Sequence, residues 1–259
     1  MALFRGTVRS TVLEMDTQVN VIIPYDYHHD EENQVKYDKV LYLLHGLKQN
    51  ADAWQRFSSV ERYAQEYGFV VIMPEVQRSF YTDMAMGLPY FTYLSEELPG
   101  MMQEMFNIAC DREHTYVGGL SMGGYGALKC ALLCPDRYAG ALCFSSGFFV
   151  LENAGVSKGV WKNDEMKAII GADLICPDCD RLDLVMDGFT PDMKKPKVYL
   201  ACGTEDYLYK NNVMMRDVLQ EKGFAPVYEE WSGVHDWLFW DLAVQRGMQC
   251  VCETWIKNK

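Results

Sequence analysis

The sequence predicts an α/β protein whose mainly parallel, twisted central sheet carries helices on both faces. Three observations support this fold class. The chain has 259 residues, 49% of them hydrophobic, which is enough to bury one large core in a single domain. Nearly continuous apolar runs such as KVLYLLHG and FVVIMPE are typical of strands buried on both faces. Segments with helical periodicity separate these runs, and such alternation predicts parallel βαβ units.

The first half of the chain opens with TVRSTVLEM and TQVNVIIP, whose β-branched and partly alternating residues predict two strands. The buried strand KVLYLLHG is followed by NADAWQRFSSVERYAQEYG, which begins with a capping Asn or Asp, is helical in pattern and closes on Gly68. FVVIMPE is another buried strand and ends at Pro74. FTYLSEELPGMMQEMFNIAC is predicted to be one helix with a proline inside it.

The second half continues the alternation. HTYVGG and YAGALCFSSG predict strands on either side of the helix GYGALKCALLCPD, which ends at Cys134-Pro135. Between Phe148 and Lys195 the pattern weakens and Gly, Asp and Pro are scattered, so residues 148–195 are predicted to be an insertion and a candidate lid over the sheet's carboxyl edge. The strand KVYLACG, the helix NNVMMRDVLQEKG, the strand PVYEEWSG and the helix DWLFWDLAVQRGMQCVCETWIK complete the fold.

Charge and hydropathy limit the partners of the chain. With 24 Lys and Arg against 36 Asp and Glu, the formal net charge is −12, and an acidic surface repels nucleic acids and anionic lipid. No apolar run is long enough to span a bilayer, and the N-terminal residues lack an apolar stretch of signal-peptide length. A cytoplasmic location is therefore predicted.

The nine cysteines are expected to be reduced thiols, since their number is odd and no signal peptide is predicted. Cys176 and Cys179 have the C-x-x-C spacing of a redox pair or of half a zinc site. The CVC at residues 250–252 does not supply a second pair with matching spacing. We therefore predict no metal and no other cofactor, and a redox protein is the least favoured alternative.

The motif Gly119-Leu120-Ser121-Met122-Gly123 has the G-x-S-x-G pattern and stands between a predicted strand and a predicted helix. In that context the turn forces the serine into a strained conformation and exposes its hydroxyl at a helix N-terminus. The residues two before and two after the serine must then be very small, and both are glycine. A capping serine in an ordinary glycine-rich turn is the alternative. Ser121 is the candidate nucleophile.

A serine nucleophile needs a base, and the base needs an acid to orient it. In this architecture the chain order is Ser, then Asp or Glu, then His. His235 is the one histidine after Ser121, and it lies between the last predicted strand and the last helix. Asp206 follows the strand KVYLACG and is the favoured acid. Other carboxylates satisfy the order alone, namely Asp173, Asp178, Asp180, Asp183 and Glu205.

Acyl transfer also needs backbone N–H groups that point at the developing oxyanion. Met122 directly follows the candidate nucleophile, and its amide is one candidate donor. The amide of Leu47 is the other, because Gly46 gives conformational freedom to the loop after KVLYLLHG. His45, at the end of the same strand, is predicted to be a structural residue and not a second base.

Several segments together resemble one known family. LLHGLKQNADAW, VVIMPEVQRSFYTDM, EELP, GGLSMGGYGAL, CGTEDYLY and HDWLFW are similar to the putative-esterase family of α/β-hydrolases, and most similar to its bacterial tributyrin-esterase branch, from about Thr17 to Trp240. The resemblance implies an α/β-hydrolase fold, a triad of Ser121, Asp206 and His235, an oxyanion hole made by the amides of Leu47 and Met122, and no cofactor. It also implies that the loop from Arg78 to Met84 borders the pocket.

Together with the candidate triad, the resemblance implies a serine carboxylesterase that acts on short-chain acyl esters, including acetyl or feruloyl esters of plant polysaccharides. The partner is then a small-molecule ester, with no nucleic acid or membrane, and a homodimer is a candidate assembly because the resembled family includes dimers. Two alternatives use the same fold. One is a thioesterase of the S-formylglutathione hydrolase type, and the other is a non-catalytic binding protein. A strained serine within a complete Ser–Asp–His order argues against the second.

Overall fold

Eight strands form one mixed sheet in a computed structural model of the chain, which describes residues 1–25, 28–29, 35–108, 111–153 and 163–256. The strands are β1 (Ala2–Ser10), β2 (Met15–Ile23), β3 (Lys39–Leu44), β4 (Phe69–Pro74), β5 (Thr115–Leu120), β6 (Gly140–Phe144), β7 (Lys197–Gly203) and β8 (Val227–Trp231). Their order across the sheet is β1-β2-β4-β3-β5-β6-β7-β8. A separate two-stranded pair joins residues 28–29 to residues 35–36.

The sheet is parallel from β4 to β8 and antiparallel at its other end. β1 pairs antiparallel with β2 from Ala2↔Ile23 to Ser10↔Met15, and β2 pairs antiparallel with β4. Every other pair, from β4–β3 to β7–β8, runs parallel. The carboxyl ends of β3, β5, β7 and β8 therefore meet along one edge of the sheet. The predicted α/β fold class is confirmed.

Helices cover both faces of the sheet. They are α1 (Ala53–Phe57), α2 (Val60–Tyr67), α3 (Tyr90–Thr92), α4 (Leu98–Phe106), α5 (Met122–Leu133), α6 (Asn163–Ile170), α7 (Leu182–Asp187), α8 (Tyr209–Glu221) and α9 (Trp237–Cys250). Alternate residues of β3 point to opposite faces, as a strand requires. Tyr42 packs in the core beneath α4, α5 and α8, whereas Leu41 and Leu43 pack in the core beneath α1, α2 and α9.

The first predicted strand is wrong at its carboxyl end. TVRSTVLEM does not stay extended, because residues 11–14 form a turn between β1 and β2. The Glu97 carboxylate accepts hydrogen bonds from the Thr11 amide at 2.7 Å, from the Thr11 hydroxyl at 2.6 Å and from the Val12 amide at 3.3 Å. Glu14 completes the turn with a φ of 55°. A carboxylate 86 residues away in sequence from Thr11 thus stabilises this hairpin.

One predicted helix is divided, and another is continuous but contains a π-helical turn. NADAWQRFSSVERYAQEYG forms α1 and α2, since Ser58 is extended between them and the Ser59 amide donates to Asp241 of α9 at 2.6 Å. Gly68 ends α2 in the left-handed region, with a φ of 68°, as predicted. FTYLSEELPGMMQEMF contains a π-helical turn, Tyr93–Glu97, between α3 and α4. Helical backbone continues without a break from Tyr90 to Phe106, and Pro99 lies in the first turn of α4, directly after the π-helical turn.

The described part of the insertion adds to the core. Phe148 and Leu151 are buried, as are Met166 and Ile169 of α6 and Leu182 of α7, and all five belong to the core that α5 shares. Residues 154–162 of the predicted insertion lie outside the described residues, as do residues 109–110 and 257, where two predicted helices end, and residues 258–259. Among the described residues, none of the helices is both long and apolar enough to cross a membrane.

A buried ion pair attaches the insertion to α5. Lys129 of α5 is 2% exposed and pairs with Asp180, which is 4% exposed. The Lys129 ammonium also donates to the Tyr81 carbonyl at 3.0 Å, and the Tyr125 hydroxyl donates to the Asp180 carbonyl at 2.7 Å. The Lys129 ammonium thus has two oxygen partners, and its attraction to the Asp180 carboxylate offsets part of the cost of burying both charges.

Replacing Lys129 with methionine is expected to lower the free energy of unfolding by about 3–5 kcal/mol, because the buried Asp180 carboxylate loses its counter-ion. Urea unfolding followed by circular dichroism measures the change. Lys167→Met is the matched control, since Lys167 is 40% exposed and pairs with Asp164 only at 3.9 Å. The control is expected to stay within about 0.5 kcal/mol of the parent. Equal losses in the two variants would contradict the assignment.

Candidate active site

Ser121, Asp206 and His235 meet at the carboxyl edge of the sheet, although 114 residues separate the serine from the histidine. Ser121 directly follows β5, Asp206 follows β7, and His235 lies between β8 and α9. The distance from His235 Nε2 to Ser121 Oγ is 3.0 Å, and the distance from His235 Nδ1 to Asp206 Oδ2 is 2.8 Å. The structure thus brings together the three residues that the sequence singles out, in one hydrogen-bonded series.

The backbone of Ser121 is strained, with φ 54° and ψ −116°. A non-glycine residue with positive φ persists only where its surroundings fix it. The Ser121 amide donates to the Phe144 carbonyl at 2.9 Å, and the Ser121 carbonyl accepts from the amides of Gly147 at 2.9 Å and Gly124 at 3.1 Å. These bonds to β6 and α5 hold the hydroxyl at the start of α5 as predicted for this turn.

The two glycines of the motif are required by close backbone contacts. A Cβ atom added to Gly119 would lie 2.6 Å from the Gly123 carbonyl carbon. A Cβ atom added to Gly123 would lie 2.5 Å from the Leu44 carbonyl oxygen and 2.7 Å from the His45 carbonyl oxygen. Those atoms belong to backbone that cannot move aside. The prediction that only very small residues fit here agrees with the structure.

Asp206 and the rings around it fix the orientation of His235. The Asp206 side chain is fully buried, and its second oxygen, Oδ1, accepts from the Leu208 amide at 2.8 Å. Tyr207 and Trp240 lie against the imidazole, with ring centroids at 4.6 Å and 4.8 Å. A carboxylate can only accept a hydrogen bond, so His235 carries its hydrogen on Nδ1 and presents the lone pair of Nε2 to Ser121.

The rival carboxylates have other partners. Asp180 is paired with Lys129, and Asp183 lies 2.8 Å from Arg181 on α7. Glu205 is closest to the site in sequence, and its carboxylate accepts from the Gly233 amide at 2.6 Å. It therefore ties the end of β7 to the loop that carries His235. Asp173 and Asp178 belong to the insertion, and Asp173 accepts from the Ile175 amide at 3.2 Å.

Leu47 and Met122, the residues with the candidate oxyanion-binding amides, line the same cleft as Ser121. Met122 is the first residue of α5, where helical N–H groups have no intrahelical acceptor. Within the described residues, neither amide donates to a protein acceptor. Both N–H groups are thus available to a ligand. His45 is 1% exposed and hydrogen-bonded on both ring nitrogens, which fits its predicted structural role.

The cleft above Ser121 has a volume of about 800 Å³. Phe80, Leu120, Phe149, Val150 and Trp240 give it apolar walls. Apart from backbone groups, its polar lining comes from Lys48, Gln49, Ser121, Asn153, Tyr207, Asn211 and His235. The described residues contain no group of three His, Cys, Asp or Glu side chains arranged to hold a metal ion. The cleft suits a small, largely uncharged ligand whose reacting carbonyl reaches Ser121.

Residues 10–248 match the model of the protein family described as "Putative esterase". The chain belongs to this esterase family. The esterase is also 32% identical to an acetyl esterase of Caldicellulosiruptor saccharolyticus, over 96% of its own length and 97% of that protein. The family match at residues 10–248 includes every segment that contributes to the site, from the loop after β3 to His235.

Solved structures agree with this family. The esterase is similar to the fluorophosphonate-binding serine hydrolase F of Staphylococcus aureus, with 31% identity, a TM-score of 0.88 and coverage of 97% of this chain and 98% of the other. It is also similar to an S-formylglutathione hydrolase from Staphylococcus aureus, with 30% identity, a TM-score of 0.85 and coverage of 97% and 99%. The predicted α/β-hydrolase fold is confirmed, and the esterase is a serine hydrolase of carboxylic esters.

Several cleft residues of the esterase were not predicted from the sequence. Phe149, Val150 and Asn153 come from the insertion, and Asn211 comes from α8. Tyr207 could have been found from the sequence, because it directly follows the favoured acid Asp206. The others carry no motif, and only their place in the fold assigns them to the cleft. Phe80 lies in the loop that the resemblance places at the pocket, and it does line the cleft of the esterase.

Cys176 and Cys179 of the esterase are free thiols. Burial raises the pKa of the Cys176 thiol to about 12, and burial also raises the pKa of the Cys179 thiol above its ordinary value. Redox and metal-binding cysteines need a lowered pKa, because the thiolate is the reactive form. The C-x-x-C spacing in the esterase is therefore not accompanied by the electrostatics of a redox pair.

Glu152 lies in the segment that forms one wall of the cleft. Burial, and to a smaller extent the nearby Asp183 carboxylate, raises the pKa of Glu152 to about 7. Its Oε2 atom is buried and has no hydrogen-bond partner among the described residues. Since the folded pKa is above the unfolded one, the folded state favours the protonated acid. Stability is then lost as the pH rises from the unfolded pKa through 7.

Replacing Glu152 with glutamine is expected to raise the free energy of unfolding at pH 8 by about 2 kcal/mol, because the variant has no buried charge to accommodate. This gain in the free energy of unfolding should vanish towards pH 5, where Glu152 is protonated in the folded parent. Chemical denaturation at both pH values measures it. Glu104→Gln, an exposed change on α4, is the control. An equal gain at both pH values in Glu152→Gln would contradict the assignment.

Proposed function

We propose that this esterase hydrolyses short-chain acyl esters, with acetyl esters foremost, through an acyl-enzyme on Ser121. The observation that carries the proposal is the unbroken series of hydrogen bonds from Ser121 Oγ through His235 to the buried Asp206, at the floor of an apolar cleft. In this proposal Ser121 is the nucleophile, His235 is the general base and then the general acid, and Asp206 orients the imidazole. The amides of Leu47 and Met122 form the oxyanion hole.

The cycle follows from the positions of these groups. His235 Nε2 accepts the hydroxyl proton as Ser121 Oγ attacks the ester carbonyl carbon, and the carbonyl oxygen becomes an oxyanion. The two amides stabilise that oxyanion, and the imidazolium then protonates the leaving alcohol as the C–O bond breaks. Water attacks the acyl-enzyme in the same way, with His235 accepting its proton. Collapse of the second tetrahedral intermediate releases the acid and restores Ser121.

The acyl preference is supported by the 32% identity to an acetyl esterase. Acetyl or feruloyl groups on plant polysaccharides are the natural esters that we propose. A second candidate is an S-formyl thioester, favoured by the 30% identity to an S-formylglutathione hydrolase. The same residues serve both reactions, because only the leaving group differs.

Hydrolysis of a substrate panel tests the proposal. The panel contains p-nitrophenyl acetate, butyrate and octanoate, methyl ferulate, and S-formylglutathione, with Ser121→Ala as the blank. We expect Ser121-dependent turnover that is fastest on the acetyl ester, with a pre-steady-state burst of one nitrophenolate per active site wherever deacylation is slower than acylation. Fastest turnover of S-formylglutathione would favour the thioesterase. No turnover above the blank from folded protein would contradict both and favour the binding protein.

We also propose that the insertion of residues 148–195 acts as a lid segment. Phe149 and Val150 line the cleft, and Glu165 of α6 pairs with Arg78, whose guanidinium donates to the Leu47 carbonyl at 3.3 Å. The insertion thus contacts both the cleft and the loop after β3.

The homodimer and the cytoplasmic location stay predictions. Light scattering on the purified protein measures its molar mass and thereby tests whether it is a dimer.

A further inference from the structure

The peptide that joins Gly46 to Leu47 decides where the Leu47 N–H points. The described residues contain no cis peptide bond, and in a trans peptide the C=O and N–H groups point in opposite directions. Any group that fixes the Gly46 carbonyl therefore also fixes the Leu47 amide. Gly46 lacks a Cβ atom, so rotation of this peptide has a low intrinsic cost. A flipped peptide would present a carbonyl oxygen to the oxyanion and repel it.

Four hydrogen-bonding groups, from His45, Gln49 and Tyr81, hold the two peptides beside Gly46. The Gly46 carbonyl accepts from the Gln49 amide at 3.1 Å and lies 2.9 Å from His45 Nδ1. The Gly46 amide donates to Gln49 Oε1 at 2.9 Å. The Tyr81 hydroxyl donates to the His45 carbonyl at 2.8 Å. Tyr81 is itself fully buried, so this last contact is shielded from water.

The ring of His45 donates through Nδ1. A carbonyl oxygen only accepts, so Nδ1 must carry the hydrogen that it shares with Gly46. His45 Nε2 accepts from the Val76 amide at 3.3 Å, and Glu75 Oε1 lies 3.4 Å from the same nitrogen. The Glu75 carboxylate has its own donors, the amides of Ala51 at 3.0 Å and Gln77 at 2.7 Å. His45 is thus held in one orientation, with Nδ1 towards Gly46.

We propose that His45 is a positioning residue, which holds the Gly46–Leu47 peptide so that the Leu47 N–H faces the cleft and the oxyanion. The inference rests on the proposed function, since it needs an oxyanion to stabilise. His45 touches no substrate and transfers no proton. Its effect is exerted through the orientation of one backbone donor. Losing one oxyanion-hole donor typically lowers kcat about 10²–10³-fold.

A pair of amide substitutions separates this role from a merely structural one. The side-chain nitrogen of asparagine can occupy the place of His45 Nδ1, whereas glutamine places its nitrogen near Nε2. We expect His45→Gln to lower kcat about 10²-fold on p-nitrophenyl acetate, with KM within about threefold of the parent. The kcat of His45→Asn should be at least about tenfold higher than that of His45→Gln. His114→Gln, a change of an exposed histidine, is the control.

An inhibitor that forms a tetrahedral adduct gives a second readout. Affinity for a trifluoromethyl ketone should fall in His45→Gln in proportion to kcat, because both depend on the oxyanion hole. Equal kcat in the Asn and Gln variants, or a loss confined to KM, would overturn the proposal. If neither variant folds, Tyr81→Phe removes only the hydroxyl that holds the His45 carbonyl. It should lower kcat about threefold or more at unchanged KM, and an unchanged kcat would overturn the proposal.

The parent enzyme distinguishes the two levels of inference. Absence of Ser121-dependent hydrolysis in the parent contradicts the proposed function itself. An active parent whose His45→Gln variant keeps full kcat contradicts only the positioning role. The melting temperature of each variant shows whether a loss of activity is a loss of folded protein.

Discussion

Replacing Ser121 with alanine is expected to lower kcat about 10⁵- to 10⁶-fold while the protein stays folded. In the proposed mechanism the substitution removes the atom that forms the acyl-enzyme, and His235 and Asp206 cannot act without it, because the members of such a triad work as a unit. Alanine adds no atom to the turn, so the contacts around Ser121 are preserved, although the strained φ of 54° is also present in the variant. Steady-state hydrolysis of p-nitrophenyl acetate, with circular dichroism to monitor folding, measures the effect.

Ser146→Ala is the matched control for this variant. Ser146 is a fully buried serine beside the same turn, and its hydroxyl has no hydrogen-bond partner among the described residues. Its backbone is held independently, because Asn212 bonds both its amide and its carbonyl at 3.0 Å. We expect the control to keep kcat within about threefold of the parent. Retention of more than about 1% of the activity in Ser121→Ala would rule out Ser121 as the nucleophile.

Replacing Asp206 with asparagine is expected to lower kcat about 10⁴-fold with the site geometry intact. Asp206 Oδ1 accepts from the Leu208 amide at 2.8 Å, so the oxygen of asparagine should stay at that position. Its NH₂ group then faces His235 Nδ1, where the carboxylate Oδ2 lies at 2.8 Å. A donor at that place makes Nδ1 an acceptor and moves the ring hydrogen to Nε2. The imidazole can then no longer accept the Ser121 proton.

The pH dependence of the variant reports this change of tautomer. Activity of Asp206→Asn should rise at high pH, where hydroxide can take the place of the base, while the parent reaches a plateau. Asp183→Asn is the matched control, because Asp183 satisfies the same chain order but pairs with Arg181. The control should leave kcat within about threefold of the parent. If Asp183→Asn were the damaging change and Asp206→Asn nearly silent, the acid would have to be reassigned.

Glu205 and Asp206 show how adjacent carboxylates take different roles in one loop. Asp206 is buried and reaches the imidazole, whereas Glu205 is exposed and accepts from the Gly233 amide. The hydrogen bonds of the Glu205 carboxylate to the Gly233 amide and to the Thr204 hydroxyl keep its pKa below the ordinary value. The charged Glu205 carboxylate thus holds the loop that carries His235.

The buried polar contacts form one connected set behind the cleft. Lys129 reaches both Asp180 of the insertion and the carbonyl of Tyr81, and the hydroxyl of Tyr81 reaches the carbonyl of His45. Gly126 is a glycine because a Cβ atom there would collide with the Tyr81 ring. The insertion, the helix α5 that follows Ser121 and the loop after β3 therefore share contacts through Lys129 and Tyr81. These contacts connect the insertion to His45, which lies beside the proposed oxyanion hole.

The sequence by itself determined the strand-and-helix alternation, the strained turn at Ser121 and the order of the three candidate residues. These features are local, or follow from the rule that parallel strands bring their carboxyl ends to one edge. Asp206 could be favoured over Asp183 because a recognisable strand precedes it. The glycines at positions 119 and 123 carried the same information, since only a tight turn requires two residues without side chains around one serine.

Only the tertiary structure decided where helices break and what lines the cleft. The helix from Ala53 divides because Asp241, far away in sequence, binds the Ser59 amide, and the first hairpin turns because Glu97 binds Thr11. The contacts of His45 with Val76 and Tyr81, and the place of Asn153 in the cleft, likewise depend on segments far apart in the sequence. Hydrogen bonds between distant residues leave no periodicity in the sequence, because each partner is read locally as an ordinary polar residue. Their energy is gained only when the sheet has brought them together.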